Sequence, residues 1–178
     1  MEFLRTAELI LEPLTAAHAE AMYSVLSEPE LYRFLDYGPP SSVEHVRGVY
    51  KELERRSSPD GNQAWLNWIV CLGNRVPIGF VQATVVSTST SWVAYMLGSS
   101  HWGRGHAQAA TAAMLAHLSE RYGTLEFLAT VENENARSIS LLERLSFKRA
   151  STQEAASHEL SNTEVLFKRS SSPSTNAL

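Results

Sequence analysis

The spacing of apolar positions shifts along the chain, and each shift predicts an element. Ala7-Glu8-Leu9-Ile10-Leu11 is a short apolar run suited to a first strand. Thr15 can cap a helix that carries Met22, Val25 and Leu26 on one side and stops before Pro29. Ser41 and Glu44 have the spacing of a capping box, and Val46, Val49, Tyr50 and Leu53 follow at helical intervals. A second helix therefore runs to about Arg56, and Ser57 to Asn62 is turn chemistry. Ala64 to Leu72, Ile78 to Val86 and Trp92 to Leu97 read as three strands, joined by Gly73-Asn74 and by the polar stretch Ser87 to Ser91. Connections this short imply antiparallel pairing.

The pattern then changes. Ala107 to Arg121 is a helix with Ala110, Met114 and Leu118 spaced by four, and Gly123 stands just past its end, where a left-handed cap favours glycine. Leu125 to Val131 is a strand, Asn135 to about Leu145 a helix, and Phe147 and Glu164 to Phe167 give further short strands. Strand, helix, strand, helix implies a parallel pair with a right-handed crossover. The expectation is one α/β domain over residues 1–169: a mixed, mostly antiparallel twisted sheet with a central parallel step and helices on both faces. Residues 170–178, rich in Ser with Pro173, are expected to form a flexible tail.

A length of 178 residues with 44% apolar and 19% charged content suits a single globular domain. The net charge of −4, without a basic block, argues against nucleic acid as a partner. No run approaches a membrane span, the N-terminus has no basic start before an apolar stretch, and the lone Cys71 cannot form an internal disulfide. A cytoplasmic protein is expected. His18, His45, His117 and His158 have no metal-ligand spacing with Cys71, which reads as a small buried apolar group.

The segment with most chemistry runs from Trp92 to Ala107, where a strand leads through a turn directly into a helix. The first turn of a helix offers unpaired N–H groups and the positive end of the macrodipole. Gly103 and Gly105 carry no side chains to keep an anion away, and Ala107 is small, so the turn suits a diphosphate. A P-loop would need a Lys that is missing, and the dinucleotide fingerprint would need Gly or Ala where Gln108 stands. A plain tight turn satisfies the two glycines as well.

Together with Asn133-Glu134-Asn135-Ala136-Arg137-Ser138 and Leu141-Leu142-Glu143-Arg144-Leu145-Ser146-Phe147, the turn Trp102-Gly103-Arg104-Gly105-His106-Ala107 closely resembles the GNAT family of N-acetyltransferases. The Tyr95 strand ending, the Trp-Gly-x-Gly-His-Ala form and the Asn-x-x-Ser spacing resemble its RimJ/RimL-like branch, which acetylates ribosomal-protein N-termini. The resemblance extends from Ala7 to about Phe167. It implies the GNAT fold, acetyl-CoA as co-substrate, no metal, a primary amine acceptor and a homodimer. Cofactor contacts would come from Met96, Leu97, Trp102, Gly103, Arg104, Gly105, His106, Ala107, Asn135 and Ser138. A backbone N–H near Leu97 would polarise the thioester carbonyl, and Ser138 would protonate the departing thiolate, because Leu142 occupies the position of the family's usual Tyr acid. Candidates for the base are Tyr95, Asp36, Tyr37 and His101.

Each residue also has a plainer reading. Asn135 can be a helix N-cap for the Ser138 N–H, Ser138 a polar first-turn residue, Tyr95 a filler of the sheet face and His101 a solvated loop residue. Trp65, Trp68 and Trp92 read as core or cleft wall. The sequence departs from the family at Trp102, where Gln or Arg is common, at Ala109, where the branch often has Glu, and at Ser146, which replaces a Gly. Two other functions stand beside the transferase: a non-catalytic acyl-CoA-binding module, and a structural domain that lost the cofactor. The acceptor stays open between a protein N-terminus, an amino acid, a polyamine and an aminoglycoside.

Overall fold

Successive side chains of a strand point to opposite faces of a sheet, and here helices cover both faces. The computed structural model describes residues 1–87 and 89–171. Its strands are β1 (Leu4–Arg5), β2 (Leu9–Pro13), β3 (Ala64–Leu72), β4 (Pro77–Val85), β5 (Thr90–Leu97), β6 (Glu126–Glu132), β7 (Lys148–Arg149) and β8 (Glu164–Ser170). They form one sheet in the order β1-β2-β3-β4-β5-β6-β8-β7. Every neighbouring pair is antiparallel except β5 with β6. The helices are α1 (Ala19–Leu26), α2 (Val43–Leu53), α3 (His106–Tyr122), α4 (Ala136–Arg144) and α5 (Thr152–Ala155). The expected mixed sheet with one parallel step is therefore the observed fold.

Strand β3 is apolar along most of its length because both of its faces are buried. Trp68 and Val70 join Met114 and Leu118 of α3 and Leu142 of α4 in one core. Ile69 and Cys71 join Met22 of α1 and Val46 and Tyr50 of α2 in the other. Strand β4 bulges beside β3: Val70 faces Gly79 and Cys71 faces Pro77, which leaves Ile78 as the extra residue.

Several boundaries move. The helix start assigned to Ser41 lies one residue on: Ser42 is the N-cap, and its Oγ accepts the His45 N–H at 3.1 Å. Val46 and Tyr50 of that helix are buried with Ile69 and Cys71 of β3. Ser170 belongs to β8, opposite Glu126, and the Ser171 N–H donates to the Leu125 carbonyl. The expected tail therefore starts later than composition suggested, and the rest of it, 172–178, lies outside the described residues.

Ser146, where the family has glycine, has φ 65°. A left-handed backbone costs a non-glycine residue about 1–2 kcal/mol, while glycine's extra unfolded-state entropy returns about 0.5–1 kcal/mol of that gain. Ser146→Gly is therefore expected to raise the melting temperature by about 1–4 °C in a thermal melt.

Candidate functional site

Strands β5 and β6 register only over Thr90–Trp92 and Glu126–Leu128. Beyond Trp92, β5 stays paired with β4 while β6 stays with β8. The two strands part, and the gap is a cleft of about 360 Å³ walled by Tyr95, Met96 and Leu97 of β5, Val131 of β6, and Ser138 and Leu142 of α4.

The register sets what β5 presents to this cleft. The Gly98 N–H donates to the Ile78 carbonyl at 2.8 Å. Bonded and non-bonded pairs alternate in an antiparallel ladder. Met96 opposite Phe80 is thus a bonded pair, whereas Leu97 opposite Gly79 turns its backbone groups away from β4. The Leu97 carbonyl accepts the Trp102 indole N–H at 2.7 Å on that side. The N–H of the same residue points the same way, towards the cleft. The Arg137 guanidinium lies 3.5 Å above the Trp102 ring, joining α4 to the turn after β5.

That turn ends on the start of α3. Gly103 (φ 72°) and Gly105 (φ 80°) are left-handed, and Gly105 is the N-cap. No side chain caps the helix, so its first N–H groups face outward. A Cβ built on either glycine meets no atom within 4 Å. His106 is buried, its Nδ1 has no hydrogen-bond partner, and its Nε2 lies 3.6 Å from Glu8. Arg104 is exposed, and Ala107 lines the cleft. His101 packs 6.1 Å from the His106 ring. Burial first, then the neighbouring His106 and Arg104 charges, push its pKa down.

Across the cleft, Asn135 caps α4: its Oδ1 accepts the Ser138 N–H at 3.1 Å. The Ser138 Oγ lies 2.7 Å from the Tyr95 Oη, which also donates to the Ser138 carbonyl at 3.2 Å. Burial pushes the Tyr95 phenol up to about 12, although the Ser138 hydrogen bond pulls the other way. Tyr95 is therefore protonated near neutrality, which is the wrong state for the base considered from sequence.

A second cavity of about 220 Å³ opens on the α1–α2 side of the sheet, and Met96 lines both. Of the candidate bases, Tyr37 lines this cavity, Tyr95 lines the first cleft, and Asp36 and His101 line neither. His45 also lines the second cavity. Sequence reading passed over it, because a single His in a helix carries no pattern. Trp68 is fully buried, and Trp92 packs edge-on against His158. Cys71 is buried on the α1–α2 face and lines neither cavity, and burial pushes its thiol up to about 11. Among the described residues, no group of three or more His, Cys, Asp or Glu is placed to hold a metal ion. No helix there is long and apolar enough to cross a membrane.

Comparison with known proteins agrees with this geometry. The chain is 27% identical, over 84% of each sequence, to a protein of Bacillus licheniformis named uncharacterized N-acetyltransferase p20. It shares its fold with RimL, a ribosomal L7/L12 alpha-N-protein acetyltransferase solved in complex with coenzyme A. That match has TM-score 0.78 and 20% identity over 95% of this chain and 98% of that one. The microcin C7 self-immunity acetyltransferase MccE, solved with acetyl-CoA and AMP, matches with TM-score 0.75 and 14% identity over 93% of each chain. The acetyltransferase (GNAT) domain model matches residues 8–148, from β2 to β7, and the chain therefore belongs to the GNAT family of acetyltransferase enzymes.

Proposed function

We propose that the chain passes the acetyl group of acetyl-CoA directly to a primary amine, with the diphosphate on the Gly103–Ala107 turn and the thioester beside Met96 and Leu97. The observation that carries this reading is the splayed cleft, which runs from Ala107 in the first turn of the glycine-capped helix to Met96, a residue that also lines the second cavity. The turn fits a diphosphate: it has open space where a Cβ would stand, outward N–H groups, and a buried imidazole nitrogen lacking a partner.

Bound acetyl-CoA supplies an activated thioester. The Leu97 N–H donates to the carbonyl oxygen as charge develops there. Ser138 gives the departing sulfur its proton and regains one from solvent water, and the Tyr95 phenol holds the Ser138 hydroxyl in place. Asn135 starts the helix that carries Ser138. The attacking amine comes through the second cavity, and its proton leaves by the same route, where the His45 imidazole can take it. Cys71 stays a thiol at neutral pH and lines neither cavity, so no acetyl-enzyme forms on it. The RimL likeness supports a protein N-terminus as acceptor, and the MccE likeness a small molecule.

Gly105→Val is the direct test. Its branched side chain fills the space assigned to the diphosphate, and CoA affinity by calorimetry is expected to fall at least about tenfold, or 1.4 kcal/mol. A parallel melt should show a well-folded protein, since the left-handed backbone costs only about 1–2 kcal/mol. Unchanged affinity sinks the assignment. CoA binding without acetylation of any primary amine leaves a binding module.

A further inference from the structure

The second cavity has a chemical character of its own. Its wall is aliphatic and aromatic, including Leu14, Leu53, Val49, Phe80, Tyr32 and Tyr37. No Asp, Glu, Lys or Arg lines it among the described residues. The cofactor cleft differs, with Glu30, Arg33, Glu132 and Arg137 on its walls. A buried ammonium without a partner costs several kcal/mol. The reacting amine escapes that cost by losing its proton, but a second or third ammonium on the same molecule does not.

Besides the His45 imidazole, the polar side chains present are amides and phenols. Asn67 and Gln82 face each other across β3 and β4, so their amides share the cavity floor. Tyr50 is 5% exposed, lines the cavity, and its Oη has no hydrogen-bond partner. The neighbouring Tyr32 hydroxyl is already used, donating to the Leu26 carbonyl at 2.8 Å. A buried unsatisfied hydroxyl costs about 1–3 kcal/mol, and such exceptions call for a reason. A ligand oxygen in the cavity supplies one. Burial holds the Tyr50 phenol protonated, so it donates. Tyr32 and Tyr37 stand edge to face at 5.7 Å, a geometry that a third ring can extend. At about 220 Å³ the space is smaller than the roughly 300–1,000 Å³ of pockets for drug-sized ligands.

We infer that the acceptor is a primary monoamine on a small aromatic or branched apolar body, with a carbonyl or hydroxyl oxygen that receives the Tyr50 hydrogen bond. This assignment rests on the acetyl-transfer reading only for which group reacts. It removes polyamines and aminoglycosides from the acceptor classes. The same chemistry is found in a free amine and in the first residue of a peptide.

Calorimetry on the CoA-loaded protein tests it with named probes. Phenylalaninamide is expected to bind and spermidine is not. Tyr50→Phe is expected to weaken phenylalaninamide relative to phenethylamine, which lacks the carbonyl, by about three- to tenfold, the range of one net hydrogen bond. Val49→Glu, at a position 44% exposed on the cavity wall, is expected to shift binding from phenylalaninamide towards spermidine. Tighter binding of spermidine or an aminoglycoside to the unaltered protein overturns the inference, as does a Tyr50→Phe variant that does not discriminate the two aromatic probes. A Phe-initiated peptide that binds as well as phenylalaninamide identifies a protein N-terminus as the source, and rejection of the peptide identifies a free amine; both support the class. Turnover is read separately. Binding without acetyl transfer refutes the enzymatic reading and leaves the cavity's chemistry standing.

Discussion

Gly79→Ala is expected to slow acetyl transfer by about a hundredfold and to lower the melting temperature by about 6–12 °C, the equivalent of about 3 kcal/mol of overpacking. A Cβ at Gly79 would stand 2.2 Å from the Met96 carbonyl oxygen and 2.6 Å from the Leu97 Cα. Both are backbone atoms of β5, so no rotamer change relieves the contact. Strands β4 and β5 must separate, and β5 has room to move on its cleft side. Leu97, whose N–H faces the proposed thioester, moves with it. A shift of about 1 Å in a reacting geometry can cost about a hundredfold in rate. Thermal melts and initial rates measure the two effects separately. A folded, fully active Gly79→Ala would mean that the end of β5 does not set the reaction geometry.

Ser138→Ala is expected to lower kcat by about a hundredfold, the lower end of what one positioned acid contributes, while the CoA Kd stays within about threefold, less than a net hydrogen bond's upper range. Tyr95→Phe removes the hydroxyl that holds Ser138 and should act in the same direction with a smaller effect. Residues that work as a unit are not additive. The double variant should therefore be no slower than Ser138→Ala alone. A product of the two single effects would mean independent roles, and an unchanged kcat in Ser138→Ala would mean that water protonates the sulfur. The phenol adds a pH signature. Its pKa is raised in the folded protein from 10.0 to about 12, so its contribution to stability is complete below pH 10.0 and is lost as pH rises through about 12. Tyr95→Phe should lose that part of the alkaline unfolding profile, and the wild-type rate should show no limb from this group below pH 10.0.

The second half of the chain was more legible than the first, for physical reasons. Helical spacing in α3, glycines at its two ends and the Asn135–Ser138 cap are local signals, and each lies where its residues suggest. Strand β1 and helix α5 have too few residues to show a period. The Ser151–Glu154 capping box that starts α5 went unread in the sequence. Tyr95 and Ser138 were each picked out singly, yet nothing in the spacing says that a phenol from β5 crosses to α4, 43 residues on. The second cavity was not legible at all. Tyr50 looked like one more apolar position on α2, and only the packed structure reveals that its hydroxyl has no partner.

The sheet separates two cores that have no residue in common: one beneath α3 and α4, the other beneath α1 and α2. Substitutions whose packing partners do not overlap tend to act additively. Changes that reshape the chamber around Tyr50 should then leave the packing behind the glycine turn undisturbed, except through the backbone of β3 to β5. Descent can thus revise one side of this molecule by single steps, each tested by selection on its own, while the other side is inherited intact. Met96, which lines both cavities, is the position where that independence ends.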